Sequence, residues 1–251
     1  MLEARSLTKS FGSVVALDGL NLQVRPGEIF CLLGANGAGK TTTLSLFLNF
    51  LRPTSGEVIV NGRNVMKFPR EARQDLAYIP EVVQLYPHLT GLENLKYFAS
   101  LAGHHRLSRE ELCGFLMQAG FPLDVADRRL GTYSKGMRQK VGIALALARN
   151  ARAFLLDEPT SGLDPVAADD FSRTLKTLRD QGGAVLMSTH DLFRAKAIAD
   201  RIGIMKSGRM IRAFTAEEAS LTELETIYLD IMKMSALSQG TAQSKGARVE
   251  C

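Results

Sequence analysis

Stretches of continuous apolar residues alternate along the chain with stretches of helical spacing. Three short apolar runs, at 29–34, 153–157 and 184–190, are each followed by a helical segment. Runs of this kind are typical of strands that are buried on both faces of a parallel sheet. The pattern therefore predicts an α/β fold with a mostly parallel sheet, in which these three runs are inner strands.

A second group of strand-like runs lies toward the N-terminus and differs in the turn sequences that separate the runs. Runs of strand type near 2–7, 19–25 and 56–60 are separated by turn sequences that contain glycine or proline. Short strands joined by such turns are typical of antiparallel sheet. The N-terminal part of the chain is therefore predicted to form an antiparallel β subdomain.

The middle and the end of the chain carry helical patterns. From about 82 to 150, apolar residues recur at helical spacing with few strand candidates, which predicts a helical subdomain inserted into the core. We expect one domain over 1–215, followed by a C-terminal helix near 216–234. The remaining segment, 235–251, is small and polar and is expected to be disordered.

Composition and charge exclude several classes of protein. The 251 residues are 45% hydrophobic with a formal net charge of +5, and the basic residues are spread along the chain. We therefore expect no nucleic-acid partner. Three scattered cysteines argue against a disulfide framework or a structural zinc site and favour a reducing cytoplasm. The N-terminus lacks the apolar stretch of a signal peptide, and the longest apolar run, 141–148, is shorter than the ~20 residues that cross a bilayer.

The strongest chemical signal is GANGAGKTT, which lies between a buried strand and a helical run. It satisfies the pattern G-x-x-x-x-G-K-[ST], in which glycines let the backbone N–H groups wrap around phosphates. We expect Lys40 to reach the β- and γ-phosphates of a nucleotide and the Thr41 hydroxyl to bind Mg²⁺. The predicted ATP-binding residues of this loop are Gly34, Asn36, Gly37, Ala38, Gly39, Lys40, Thr41 and Thr42.

The second signal is AFLLDEPTSGLD, where a buried strand ends in a carboxylate. Asp157 is expected at the C-terminal edge of the sheet, where open α/β folds bind ligands, and there it can hold Mg²⁺. The adjacent Glu158 can act as general base for the water that attacks the γ-phosphate. His190 ends the third inner strand and could contact the γ-phosphate or Glu158.

A third stretch, TYSKGMRQK, has the form of a helix start. Ser134 has the position of an N-cap and Gly136 lies in the first turn, so the N–H groups there are open to an anion. The chain thus offers two separate anion sites.

Together these motifs resemble the ATP-binding cassette of ABC transporters, and they occur in that family's order. The P-loop is followed by TYSKGM in the place of the signature LSGGQ, by LLDEP as the Walker B motif, by SGLD at 161–164 as the D-loop and by STHD with the switch histidine. The resemblance covers about residues 1–215. It implies a P-loop NTPase core, an Mg²⁺-dependent ATPase activity, and a role for Phe11 in stacking on adenine.

In this family the signature helix faces the ATP that is bound to a second cassette. The resemblance therefore implies that two copies of the chain, or this chain and a paralogous cassette, close around two ATP molecules. Ser134, Lys135 and Gly136 are then expected to contact the γ-phosphate on the partner. Asp164 is expected to bridge the interface.

Two motifs depart from the family pattern. Lys135 replaces the first glycine of the signature and Met137 its glutamine, whereas the serine and the second glycine are kept. In YIPEVVQLYPHLT, Glu81 stands where the Q-loop usually has glutamine, and Gln84 follows three residues later. We expect Glu81 to ligate Mg²⁺ or to orient water, with Gln84 as the alternative.

Both departures resemble cassettes that work with separate membrane subunits in efflux. The resemblance implies the ATPase subunit of an exporter, located in the cytoplasm on the inner face of the cell membrane. A short helix of an integral membrane subunit would enter a groove lined by Leu85, Tyr86, Leu89 and Leu92, although core packing explains at least half of these residues. An importer ATPase and a non-transport ABC ATPase are the alternatives; the single cassette and the lack of sustained heptads disfavour the latter.

Overall fold

The computed structural model describes the backbone of residues 1–243 and the side chains of residues 1–233. The strands are β1 (Leu2–Phe11), β2 (Val14–Val24), β3 (Glu28–Leu33), β4 (Ser55–Val60), β5 (Arg63–Asn64), β6 (Leu76–Ile79), β7 (Ala153–Asp157), β8 (Ala184–Thr189), β9 (Arg201–Lys206) and β10 (Arg209–Thr215). The α-helices are α1 (Lys40–Phe47), α2 (Pro69–Gln74), α3 (Gly91–Leu101), α4 (Arg109–Gln118), α5 (Lys135–Ala148), α6 (Pro165–Asp180), α7 (Leu192–Ile198) and α8 (Leu221–Gln243).

The larger sheet has the strand order β10-β9-β3-β8-β7-β6. Its neighbouring strands run parallel, except that β10 is antiparallel to β9. Every residue of β3 and β8 is buried, as expected of strands covered on both faces. The predicted α/β class is confirmed, and the three predicted inner strands are β3, β7 and β8.

Two cores lie on opposite faces of this sheet. Cys31 and Leu33 of β3 belong to the core that includes side chains of α5, α6 and α7. Phe30 and Leu32 belong to the other core, together with residues of β1, β2, β4 and α1. Because successive strand residues point to opposite faces, one apolar run supplies both cores.

The smaller sheet is antiparallel, with the order β2-β1-β4-β5, and forms the predicted β subdomain. Its second strand begins at Val14, whereas the sequence predicts a start near residue 19. The strand is longer because the chain reverses within two residues, Gly12 and Ser13, so that Phe11 pairs directly with Val14. Gly12 has a φ of 58°, which glycine adopts without strain.

Helices α3, α4 and α5 pack on one another in the region for which the sequence predicts a helical subdomain. Capping boxes start α3 and α4, formed by Thr90 with Glu93 and by Ser108 with Glu111. The limits of this subdomain, about 82–150, stay a prediction. Of the four residues predicted for the partner groove, Leu92 is buried on the inner face of α3 and Leu85 packs against the same core, so core packing accounts for half of them.

The C-terminal helix differs from the prediction at both ends. It begins at Leu221 rather than near 216, because Ser220 and Glu223 form the reciprocal cap that starts it. Its backbone continues to Gln243, into the segment for which the sequence predicts disorder. Alanine, leucine and glutamine in 235–243 are good helix formers, and no proline interrupts the stretch. The rest of the predicted tail, 244–251, lies outside the described residues.

Across the residues that the structure describes, none of the helices combines the length and the apolar character needed to span a bilayer.

Candidate active site

The P-loop connects β3 to α1 at the C-terminal edge of the parallel sheet. Gly39 precedes the helix with a φ of 105°, and no side chain caps the first N–H groups of α1. These N–H groups and the positive end of the helix dipole therefore favour an anion. Gly34 is required for close packing, because a Cβ there would lie 2.5 Å from the carbonyl oxygen of Met205.

Lys40 is buried beneath this loop. Its Nζ donates to the carbonyl oxygens of Gly34 at 2.6 Å and Ala35 at 3.3 Å. The same nitrogen lies 3.4 Å from Oε1 of Glu158. A buried lysine is rare unless it is paired, so the loop carbonyls and this carboxylate account for its position.

Asp157 ends β7 and meets the start of α1. Its Oδ1 accepts hydrogen bonds from Ser188 Oγ at 2.5 Å and from Thr41 Oγ1 at 3.3 Å. Burial, and secondarily the charge of Asp157, raise the pKa of the neighbouring Tyr78 above its ordinary value. The structure therefore brings Thr41 and Asp157 together, as the sequence predicts for two Mg²⁺ ligands.

Glu158 follows with a left-handed backbone, at a φ of 46°. A non-glycine residue in this region costs on the order of 1–3 kcal/mol, and such residues cluster at functional sites. Its N–H is held by the carbonyl and hydroxyl oxygens of Ser188. Oε2 lies 3.0 Å from Nδ1 of His190, while Oε1 is buried without a hydrogen-bond donor. His190 therefore contacts Glu158, as the sequence allows.

These residues surround an open cleft of about 490 Å³. The predicted residues that line it are Asn36, Gly37, Ala38, Gly39, Lys40, Thr41, Thr42, Glu81, Asp157 and Glu158. Three further residues of β2, Val14, Val15 and Ala16, line the cleft, as does Ser207 after β9. The predicted site residues did not include these four, nor Ala35 of the P-loop, which also lines the cleft, nor Ser188, which lies in the STHD motif.

Phe11 lies beside the cleft rather than in its wall. Its ring is 47% exposed at the end of β1, and Lys9 Nζ lies 4.7 Å from the ring centroid. Its paired residue Val14 does line the cleft. The role of Phe11 in stacking on adenine stays a prediction.

The two candidates for the Q-loop role are separated by the structure. Glu81 lines the cleft, and its Oε1 accepts a hydrogen bond from Ser161 Oγ at 2.9 Å. Gln84 is exposed and does not contribute to the cleft wall. The geometry favours Glu81, although its chemical role stays a prediction.

The predicted trans residues lie outside this cleft. Ser134 caps α5 by accepting a hydrogen bond from the Met137 N–H at 3.2 Å, and Asp164 caps α6 by accepting one from the Ala167 N–H at 2.9 Å. Gly136 packs near Leu163 in its own chain. Of the residues that line the cleft, none belongs to the group Ser134, Lys135, Gly136 and Asp164 in the described part of the chain.

Comparison with known proteins identifies the group to which this arrangement is similar. The family model described as "ABC transporter" matches residues 17–161. The uncharacterized ABC transporter ATP-binding protein YhcH of Bacillus subtilis (strain 168) is 32% identical over 236 residues, which cover 94% of this chain and 76% of that protein. The bacitracin transport ATP-binding protein BcrA of Bacillus licheniformis is 34% identical over 212 residues, covering 84% and 68%.

A solved structure agrees at the level of the fold. The dimeric, post-hydrolysis structure of the ATP-binding cassette MJ0796 bound to ADP and Pi superposes with a TM-score of 0.75 at 28% identity. The match covers 86% of this chain and 99% of that chain.

Proposed function

This chain belongs to the ABC transporter family as an ATP-hydrolysing subunit, and from that premise we propose that it powers export through a separate membrane subunit. The observation that carries the proposal is the convergence of Lys40, Thr41, Asp157, Glu158 and His190 at one edge of the parallel sheet. A phosphate-binding helix start, a metal-type carboxylate and a second carboxylate beside a histidine are the parts that phosphoryl transfer to water needs.

Phosphate binding is assigned to the P-loop and Lys40. The uncapped N–H groups of α1 receive the phosphate oxygens, and the buried ammonium supplies the compensating charge. Lys40 Nζ now lies 3.4 Å from Glu158 Oε1. A γ-phosphate would compete for this ammonium and leave Oε1 free to accept a proton.

The residues present fit Mg²⁺. Thr41 and Asp157 place a hydroxyl and a carboxylate oxygen 3.3 Å apart beside the phosphate site, and hard oxygen ligands from one or two side chains are what Mg²⁺ uses with a nucleotide. Glu81 supplies a third oxygen at the cleft wall. When bound, the ion neutralises charge on the phosphate oxygens.

Proton transfer is assigned to Glu158, with His190 as its orienting partner. The buried Oε1 lacks a hydrogen-bond donor, so it can accept the proton of an attacking water. The other carboxylate oxygen is held by the N–H and Nδ1 of His190. Ser188 fixes the backbone of Glu158 and the carboxylate of Asp157 together, which maintains the distance between base and metal ligand.

The signature residues are assigned to the nucleotide of a second chain. Ser134 is exposed at the start of α5, and neither it nor Asp164 reaches the cleft of its own chain. In two copies related by a two-fold axis, the signature of each chain would face the P-loop of the other chain. An interface of this kind closes on itself as a dimer. The dimeric state of the MJ0796 cassette supports this arrangement.

Export is favoured because a similar protein of Burkholderia orbicola (strain AU 1054), 34% identical over 210 residues, is named Nod factor export ATP-binding protein I. The membrane subunit would sit on the helical subdomain, where Tyr86 is 48% exposed, and the chain would lie in the cytoplasm at the inner face of the membrane. Inverted membrane vesicles that contain the chain and its membrane partner separate the alternatives. An exporter accumulates its cargo inside them when ATP is added, an importer does not, and a non-transport ATPase forms no such complex.

The ATPase assignment is tested with Glu158→Gln, compared with Glu217→Gln as the matched control on an exposed residue outside the cleft. Loss of a general base is expected to lower kcat by about 10²–10⁴-fold. Glu158→Gln should therefore bind ATP and run as a dimer in light scattering, while the wild type and Glu217→Gln turn over. A Glu158→Gln chain that hydrolyses at the wild-type rate contradicts the base assignment.

A further inference from the structure

The start of α5 is connected to the Q-loop within the same chain. Lys135 Nζ donates to the carbonyl oxygen of Ser161 at 2.5 Å and lies 3.8 Å from Oε1 of Glu81. The same Oε1 accepts the hydroxyl hydrogen of Ser161 at 2.9 Å. Two of the three residues that depart from the family pattern, Lys135 and Glu81, therefore form one network with Ser161, the first residue of the D-loop.

The direction of the Lys135 side chain is set by the helix face on which it lies. Gln139, one turn later, donates through Nε2 to the carbonyl oxygen of Pro159. Residues four apart share a helix face, so both side chains lie along the segment that leads into the D-loop. Gly162 has a φ of 66°, and a Cβ added to it would lie 3.6 Å from Nζ of Lys135. The first two residues of the D-loop, Ser161 and Gly162, therefore lie beside this charge.

The cleft carries an excess of negative charge that Lys135 can offset. In the described part of the chain, the charged side chains that line the cleft are Lys40 and three carboxylates, Glu81, Asp157 and Glu158. A nucleotide brings several negative charges to this site. Glu81 adds repulsion where most members of the family carry a neutral glutamine, unless a nearby cation compensates it.

We propose that Lys135 acts on its own chain, as the counter-ion of Glu81 and as the residue that positions the Q-loop against the D-loop. This differs from the contact with the partner's γ-phosphate that the resemblance implies for Lys135. The inference rests on the proposed function, because its main readout is the KM for ATP. The side chains of Lys135 and Glu81 are 30% and 52% exposed, so their contribution to the stability of the fold is small.

The first test is Lys135→Gln, with Lys140→Gln as the matched control on the same helix, where Lys140 is paired with Asp170 at 2.7 Å. Uncompensated Glu81 is expected to raise the KM for ATP about five-fold in Lys135→Gln. Lys140→Gln should keep the wild-type KM, and Lys135→Arg should restore it by keeping the charge. Thermal unfolding of each variant verifies that the fold is intact.

Removal of both charges gives the complementary result. The double variant Glu81→Gln with Lys135→Gln is expected to return the KM to within about two-fold of the wild type, because no carboxylate is left uncompensated. A KM as high as that of Lys135→Gln alone overturns the proposal, as does an unchanged KM in Lys135→Gln.

Mixing two chains distinguishes action on the chain's own cleft from action on the partner. In a mixed dimer of Lys135→Gln with Lys40→Met, the working P-loop belongs to the Lys135→Gln chain, and the signature that faces it is unaltered. Our proposal predicts that the KM stays raised about five-fold. A wild-type KM in the mixed dimer, separated from both homodimers, assigns Lys135 to the partner's nucleotide and overturns the proposal. Failure of the proposed catalytic site would look different, because the wild type itself would then not hydrolyse ATP.

Discussion

The two helix starts that the chain offers to anions are built differently. α1 follows Gly39, which has no side chain to cap it, and it begins with the buried Lys40 inside the cleft. α5 follows Ser134, whose hydroxyl caps the helix, and it begins outside the cleft with Lys135 directed toward the D-loop. The start of α1 is uncapped and lines the cleft of its own chain, whereas the start of α5, which we assign to another chain's nucleotide, is capped by Ser134 and lies outside that cleft.

The largest effect should come from the exposed start of α5. Ser134→Asp keeps a good N-cap but places a negative charge where the partner's phosphate is expected, so ATPase activity should fall about 10²–10³-fold while the isolated chain still binds ATP. Ser134→Ala serves as the comparison, with a loss of about 1 kcal/mol of folding stability from the missing cap. Equal ATPase activity in Ser134→Asp and the wild type would place the signature outside the reaction.

A smaller effect, on folding stability, is expected for two glycines, Gly34 of the P-loop and Gly136 of α5. A Cβ on Gly34 meets a carbonyl oxygen at 2.5 Å, whereas a Cβ on Gly136 meets side-chain carbons at 3.6 Å. Gly34→Ala should therefore lower the free energy of unfolding by about 1–3 kcal/mol, and Gly136→Ala should leave it unchanged or raise it by up to about 1 kcal/mol. Urea unfolding measures both. A loss of stability in Gly136→Ala would show that its own chain requires this glycine, which weakens the assignment to a partner.

The smallest effect, on the KM for ATP, is expected for Phe11, which lies beside the nucleotide cleft. Stacking of a base on an aromatic ring is worth about 1–3 kcal/mol, so Phe11→Ala should raise the KM for ATP about ten-fold. Phe11→Tyr keeps the ring and should change it by less than about two-fold. If Phe11→Ala binds ATP like the wild type, adenine lies elsewhere in the cleft.

The sequence predicts the P-loop and the strand that ends in Asp157 because both are contiguous signals, an apolar run followed by chemistry. It misses β6, whose four residues become a strand only through pairing with β7. The role of Ser188 depends on the register that sets it opposite Asp157. The direction of Lys135 depends likewise on a contact with the D-loop, which no local pattern encodes.

The central claim is that each working site takes its P-loop from one chain and its signature from another. The most direct measurement mixes Lys40→Met with Ser134→Asp and follows ATPase activity. Each variant alone should be inactive, because every dimer then lacks either the P-loop lysine or the signature. With random assortment and independent sites, the mixture should recover about a quarter of the wild-type rate. A mixture that stays as inactive as the two variants alone would contradict the account.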